Sequence, residues 1–199
     1  LALRGYVTLA PDYPNFGEYT FDPYAHGYAS ATRKGIHNHS TALSLLAALP
    51  FVDPHRLAVC GHSLGGHNAL FLAAFDPRAR AVITSCGFTS FAKYMRGDLT
   101  GWSHRGYMPR IASEFGKDPA RMPFDFADLF AAIAPRPIFV NAPLHDANFD
   151  ASGVDDVLRS SRHPRVQLVH PDAEHDFPTA VRQQAYAWLD QVLPNPPTK

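Results

Sequence analysis

The chain has 199 residues, 46% of them hydrophobic, and its 18 Lys and Arg balance 18 Asp and Glu to a formal net charge of zero. That length supports one sizeable core, read as a single domain over 1–194 with a tail at 195–199. With no basic or acidic block and no apolar run of membrane-spanning length, nucleic acid and a bilayer span are excluded as the main business of the chain.

Leu1-Ala2-Leu3-Arg4-Gly5 reads as the last turn of a helix closed by glycine, not as a natural start. It carries no signal-peptide pattern, and the front of the chain looks cut, so the compartment stays open. Tyr6-Val7-Thr8-Leu9-Ala10 is β-rich and ends at the turn Pro11-Asp12-Tyr13-Pro14, which predicts a strand over 6–10. Residues 14–29 read as a loop. Ile36, Leu43, Leu46 and Leu49 recur at helical spacing and predict a helix over 31–49, stopped by Pro50. A strand over 57–60 leads into a helix over 64–75, and a second strand follows at 81–85. Cys60 and Cys86, the two cysteines, each close one of these strands and read as small buried thiols rather than a disulfide. Residues 88–124 are too long and irregular for an ordinary connection and are expected to form a lid-like insertion. Beyond it come a helix over 127–133 ended by Pro135-Arg136-Pro137, a strand over 138–141, a helix over 153–162, a strand over 166–169 and a last helix over 179–193.

Strands alternating with helices predict an α/β chain with a mainly parallel sheet covered by helices on both faces. In such sheets functional groups gather beyond the carboxyl ends of the strands. Gly61-His62-Ser63-Leu64-Gly65-Gly66 lies between a strand and a helix, the setting in which G-x-S-x-G forms a nucleophile elbow. A serine hydroxyl needs a base within hydrogen-bond reach, and the base needs a third group to fix its tautomer. Asp146 follows the strand at 138–141 and is the candidate acid, with Asp150 its rival a few residues on. His175 follows the strand at 166–169, in a loop long enough to fold back over the sheet, with His170 its rival. Ser63, Asp146 and His175 stand in the order expected of a hydrolase triad.

His62, His67 and Asn68 flank the elbow and read as polar packing groups, His62 being also a candidate for contact with substrate. Trp102, Tyr107 and Met108 either line a substrate pocket or form a small core inside the insertion. Eleven histidines raise the question of metal, but His37 and His39 stand two apart on a helix and no H-E-x-x-H occurs. Chemistry without metal or organic cofactor is expected.

The visible chain resembles α/β-hydrolases of the dienelactone-hydrolase-like and acetyl-xylan-esterase-like branch. The resemblance is carried by Arg4-Gly5-Tyr6-Val7 with Pro11-Asp12-Tyr13, by the 61–66 elbow, by Pro135-Arg136-Pro137 and by the Asp146 and His175 loops. It implies Ser63 as nucleophile, His175 as general base and then acid, Asp146 as its orienting carboxylate, and the Leu64 backbone N–H as one oxyanion donor. It further implies a serine carboxylester hydrolase acting on small acyl or sugar esters. Dienelactone hydrolases proper place Cys at the nucleophile. Peptidases of the prolyl-oligopeptidase type share the architecture but usually have an aromatic residue where His62 stands. The family also places a strand between those expected at 6–10 and 57–60, followed by a loop with a second oxyanion donor, and no segment of this sequence corresponds to it. A gap in the sheet is expected there, and with it the alternative of a non-catalytic chain.

Overall fold

The computed structural model describes residues 1–194; the expected tail at 195–199 lies outside the described residues. Its sheet has four parallel strands in sequential order: β1 (Leu57–His62), β2 (Ala79–Ser85), β3 (Ile138–Asn141) and β4 (Val166–Val169). The helices are α1 (Ala31–Ala47), α2 (Leu64–Phe75), α3 (Arg110–Ser113), α4 (Phe126–Ile133), α5 (Ala151–Ser161) and α6 (Thr179–Val192). Their starts follow local chemistry. Ser30 accepts a hydrogen bond from the Arg33 amide at the head of α1, and Asp125 with Asp128 forms a capping box on α4.

Alternation along β2 and β3 divides the core between the two faces of the sheet. Val82, Ile138 and Val140 pack with α2, α4 and α5 on one face. Ala81, Ile83 and Phe139 face α6 through Val181, Ala185, Trp188 and Leu189 on the other. Phe88, Phe126 and Phe130 pile up on the first face with ring centroids 5.0 and 5.4 Å apart, at separations where aromatic pairs attract beyond their buried area.

Two expectations are corrected. Residues 6–10 form no strand, because none of the described residues supplies a neighbouring edge; Val7 and Leu9 remain 42% and 45% exposed. Between this segment and β1 runs a groove of about 400 Å³, lined in part by Val7, Leu9, Phe51, Leu57 and Cys60. Cys60 is therefore exposed, whereas Cys86 is buried; both are free thiols. A side chain on an edge strand has a neighbour on one side only, and that is what leaves Cys60 open.

The 88–124 segment is built of short turns, including 3-10 turns at Tyr94–Gly97 and Leu99–Trp102, together with α3. Its Phe88, Phe91, Leu99, Trp102 and Ile111 are buried in the core that α2 and α4 share, so the insertion has no separate core of its own. The Asp125 carboxylate accepts from the Phe91 amide, and Lys93 pairs with Asp156 of α5 at 2.7 Å.

Arg136 gives the Pro-Arg-Pro segment its structural use. Its guanidinium donates to the carbonyls of Ala73, Asp76, Ala79 and Ile133, tying the carboxyl ends of α2 and α4 to the start of β2. Replacing Arg136 by Met should lower unfolding stability by about 2–3 kcal/mol, since several half-buried carbonyls lose a charged donor. Arg136→Lys should recover less than half of that, because one ammonium cannot span the same carbonyls. Urea unfolding measures both, and an unchanged midpoint for Arg136→Met would show that water serves those carbonyls equally well.

Candidate active site

Ser63 sits between β1 and α2 with φ 52° and ψ −117°, a conformation that L-residues rarely adopt. The glycines around it are steric requirements. A Cβ on Gly61 would lie 2.0 Å from the Gly65 carbonyl oxygen, and one on Gly66 would lie 2.8 Å from Gly87 Cα. The Ser63 amide donates to the Ser85 carbonyl at 2.8 Å, which ties the turn to β2. Leu64 opens α2, so its N–H is among the first-turn amides without an intrahelical acceptor, next to the serine.

His175 Nε2 lies 2.8 Å from Ser63 Oγ, and His175 Nδ1 lies 2.9 Å from Asp146 Oδ2. A carboxylate only accepts, so Nδ1 carries the proton and the Nε2 lone pair is turned to the serine hydroxyl. The Asp146 carboxylate is buried, and its other oxygen accepts from the amides of Asn148 at 2.8 Å and Phe149 at 3.1 Å. Both rivals are engaged elsewhere. Asp150 caps α5 by accepting from the Ser152 amide, and His170 is held by the Ala142 carbonyl and Asp155.

The structure spreads the other candidate residues around this chain of three. The exposed His62 ring lies 5.1 Å from that of His175, and the Phe149 ring stacks on that of His175 at 5.9 Å and 28°. Trp102 is buried 6.2 Å from Phe149 and 4.8 Å from His67, and so packs within the main core two rings away from His175. Tyr107 and Met108 are half-buried; Tyr107 packs on His67 and Trp102, and Met108 packs against the core. Burial lowers the pKa of His67 to about 3, which keeps it neutral, while Asn68 donates to the Leu64 carbonyl. His62 also titrates below the ordinary histidine range, through burial and then the nearby His175.

Cys86 Sγ, Asp146 and His175 place three metal-capable atoms within 4.8 Å of one another. Asp146 and His175 are bonded to each other, and burial pushes the Cys86 thiol up to about 12, so no thiolate is on offer at neutral pH. Phe149, Ser85 and Asn141 were not legible as site residues in the sequence, although Asn141 carried a signal as the polar residue that ends the otherwise apolar β3.

The model of the prolyl oligopeptidase family matches residues 1–195. Over 86 residues, or 43% of this chain and 27% of the other, the sequence is 33% identical to the quorum-quenching protein AidA of Acinetobacter baumannii (strain MDR-ZJ06). Among solved structures, a carbohydrate esterase family 15 glucuronoyl esterase from Caldicellulosiruptor kristjansonii superposes with a TM-score of 0.70 at 22% identity, over 85% of this chain and 52% of that one. Acetyl xylan esterase 1 from Thermoanaerobacterium sp. JW/SL YS485 does so with a TM-score of 0.60 at 22% identity, over 80% and 53%. The chain thus spans about half or less of the length of these relatives, and the fold they share with it is that of the α/β-hydrolases.

Proposed function

The chain belongs to the prolyl oligopeptidase family, and from that premise we propose that it is a serine carboxylester hydrolase working through an acyl-enzyme. The observation that carries this reading is the continuous chain Ser63 Oγ, His175 Nε2, His175 Nδ1, Asp146 Oδ2 at a strand-to-helix elbow.

Ser63 Oγ attacks the ester carbonyl as its proton passes to His175 Nε2, and the new imidazolium is held by Asp146. The carbonyl oxygen becomes an alkoxide, stabilised by the Leu64 N–H and the positive end of α2. When the tetrahedral intermediate collapses, the C–O bond to the alcohol breaks and that alcohol leaves with the His175 proton. Water then repeats the sequence on the acyl-enzyme: His175 takes its proton, the acid is released, and Ser63 recovers its own.

Small acyl or sugar esters are the proposed substrates. The carbohydrate-esterase identity of the structural relatives supports that class. The family's name favours a second reading, a serine peptidase. Turnover of 4-nitrophenyl acetate compared with a prolyl 4-nitroanilide separates the two, with labelling of Ser63 by a fluorophosphonate run in parallel. The ester should react faster. Faster anilide cleavage would establish the peptidase, and no labelling at Ser63 would leave a non-catalytic chain.

A further inference from the structure

A line of hydrogen bonds runs along the carboxyl ends of β1, β2 and β3 to the loop after β4. His62, Ser85 and Asn141 are register partners on β1, β2 and β3. His62 Nδ1 lies 3.0 Å from Ser85 Oγ, Asn141 Nδ2 lies 2.8 Å from the same oxygen, and Asn141 Nδ2 also lies 2.9 Å from the carbonyl of Asp176, in the loop after β4 that carries His175. Ser85 and Asn141 are buried.

The polarity of this line is fixed from one end. A backbone carbonyl only accepts, so the Asn141 amide must present its nitrogen to Asp176, and the same nitrogen donates to Ser85 Oγ. The Asn141 oxygen has no partner among the described residues, so the orientation is held from the donor side. Ser85 has spent one lone pair on Asn141 and has a proton to place. Two acceptors are within reach, His62 Nδ1 at 3.0 Å and Cys86 Sγ at 3.8 Å, and the nitrogen is both closer and the stronger acceptor. His62 Nδ1 therefore accepts, and the proton of the neutral ring resides on Nε2.

We propose that His62 is a substrate-facing hydrogen-bond donor, its Nε2–H directed to an oxygen of the bound ester, and that Asn141 and Ser85 are positioning residues that dictate its tautomer. The inference deepens the esterase reading and rests on it for the identity of the substrate. Three features place His62 for this role: it is exposed, it directly precedes Ser63, and its ring lies against that of His175. Asn141 links the two halves of the site, since one amide orients the His62 ring and holds the residue that follows His175.

The test reads the tautomer itself. Long-range 1H–15N spectra of the 15N-histidine-labelled full chain, with the His62 signals identified by their loss in His62→Phe, should show protonated Nε2 and bare Nδ1. Asn141→Asp keeps the shape and reverses the polarity: Ser85 then donates to the new carboxylate and accepts from His62, so the proton should move to Nδ1. If that variant does not fold, Ser85→Ala should shift the Nδ1 resonance to that of an imidazole without a partner. His62→Phe should lower kcat/KM for 4-nitrophenyl acetate about tenfold, the worth of one hydrogen bond in the transition state, with Ser63 still labelled by fluorophosphonate. A wild-type ring protonated on Nδ1, or a ring unmoved by the Asn141 or Ser85 change, overturns the relay. Unchanged turnover in His62→Phe overturns the donor role. Absence of wild-type turnover would count against the esterase reading alone, because the spectra need no substrate.

Discussion

Ser63→Ala should lower kcat for 4-nitrophenyl acetate by about 10⁴–10⁶-fold, the range seen when a triad nucleophile is removed from other serine hydrolases. The hydroxyl 2.8 Å from His175 Nε2 is the one serine oxygen within reach of that base in this site. Its loss leaves His175 able only to activate water from a position built for a covalent attack. The backbone at Ser63 keeps its positive φ because the strain is imposed by β1, by the Gly61–Gly65 contact and by the hydrogen bond from the Ser63 N–H to the Ser85 carbonyl, none of which needs the hydroxyl. Folding should therefore survive, and an unchanged circular dichroism spectrum and melting temperature would confine the effect to chemistry. Residual turnover within tenfold of wild type would show that the observed hydrolysis does not pass through Ser63.

Asp146→Asn should cost about 10⁴-fold in kcat, because it reverses a hydrogen bond while leaving shape intact. Two backbone amides, those of Asn148 and Phe149, donate to Asp146 Oδ1. In the variant they would hold the amide oxygen at that position and force the amide nitrogen towards His175. An N–H facing Nδ1 makes that nitrogen the acceptor, moves the ring proton to Nε2, and leaves Ser63 without a base. Measuring kcat as a function of pH separates this from simple damage to the site. Activity should return at high pH, where hydroxide removes the serine proton directly. A variant that keeps wild-type kcat near neutrality would remove Asp146 from the mechanism.

The same polarity reasoning governs both ends of the site, and it explains what could be read from sequence. The elbow is a local object. A Cβ on Gly61 would strike the Gly65 carbonyl four residues on, so that glycine announces the turn without any knowledge of the fold, whereas Gly66 is required by the approach of Gly87 after β2. The alternation of elements likewise reports a parallel sheet, because apolar strands and amphipathic helices must each bury a face. That reading of the fold class agrees with the relatives.

Selection among equivalent residues was not local. Asp146 and Asp150 are both short acids in one loop, and what separates them is that α5 uses the second as its cap while two amides and His175 converge on the first. His170 and His175 differ in the same way, through partners contributed by α5 and by the elbow. Residues 6–10 had every property of a strand except a neighbour to pair with, and Cys60 had every property of a buried thiol except a second strand at its side. The sequence marks 88–124 as a lid-like insertion, but its irregular pattern hides that Phe88, Phe91 and Trp102 insert into a core supplied by α2 and α4.

By itself the sequence determined the class of fold, the strained turn at Ser63 and the order of the groups that follow it, since all three depend on sterics and periodicity within a few residues. Only the tertiary structure decided which carboxylate and which imidazole meet the serine, and that Asp176, Asn141, Ser85 and His62 join into one line across the sheet. Hydrogen bonds between strand ends depend on register, and register is set by packing over the whole sheet rather than by any stretch of chain.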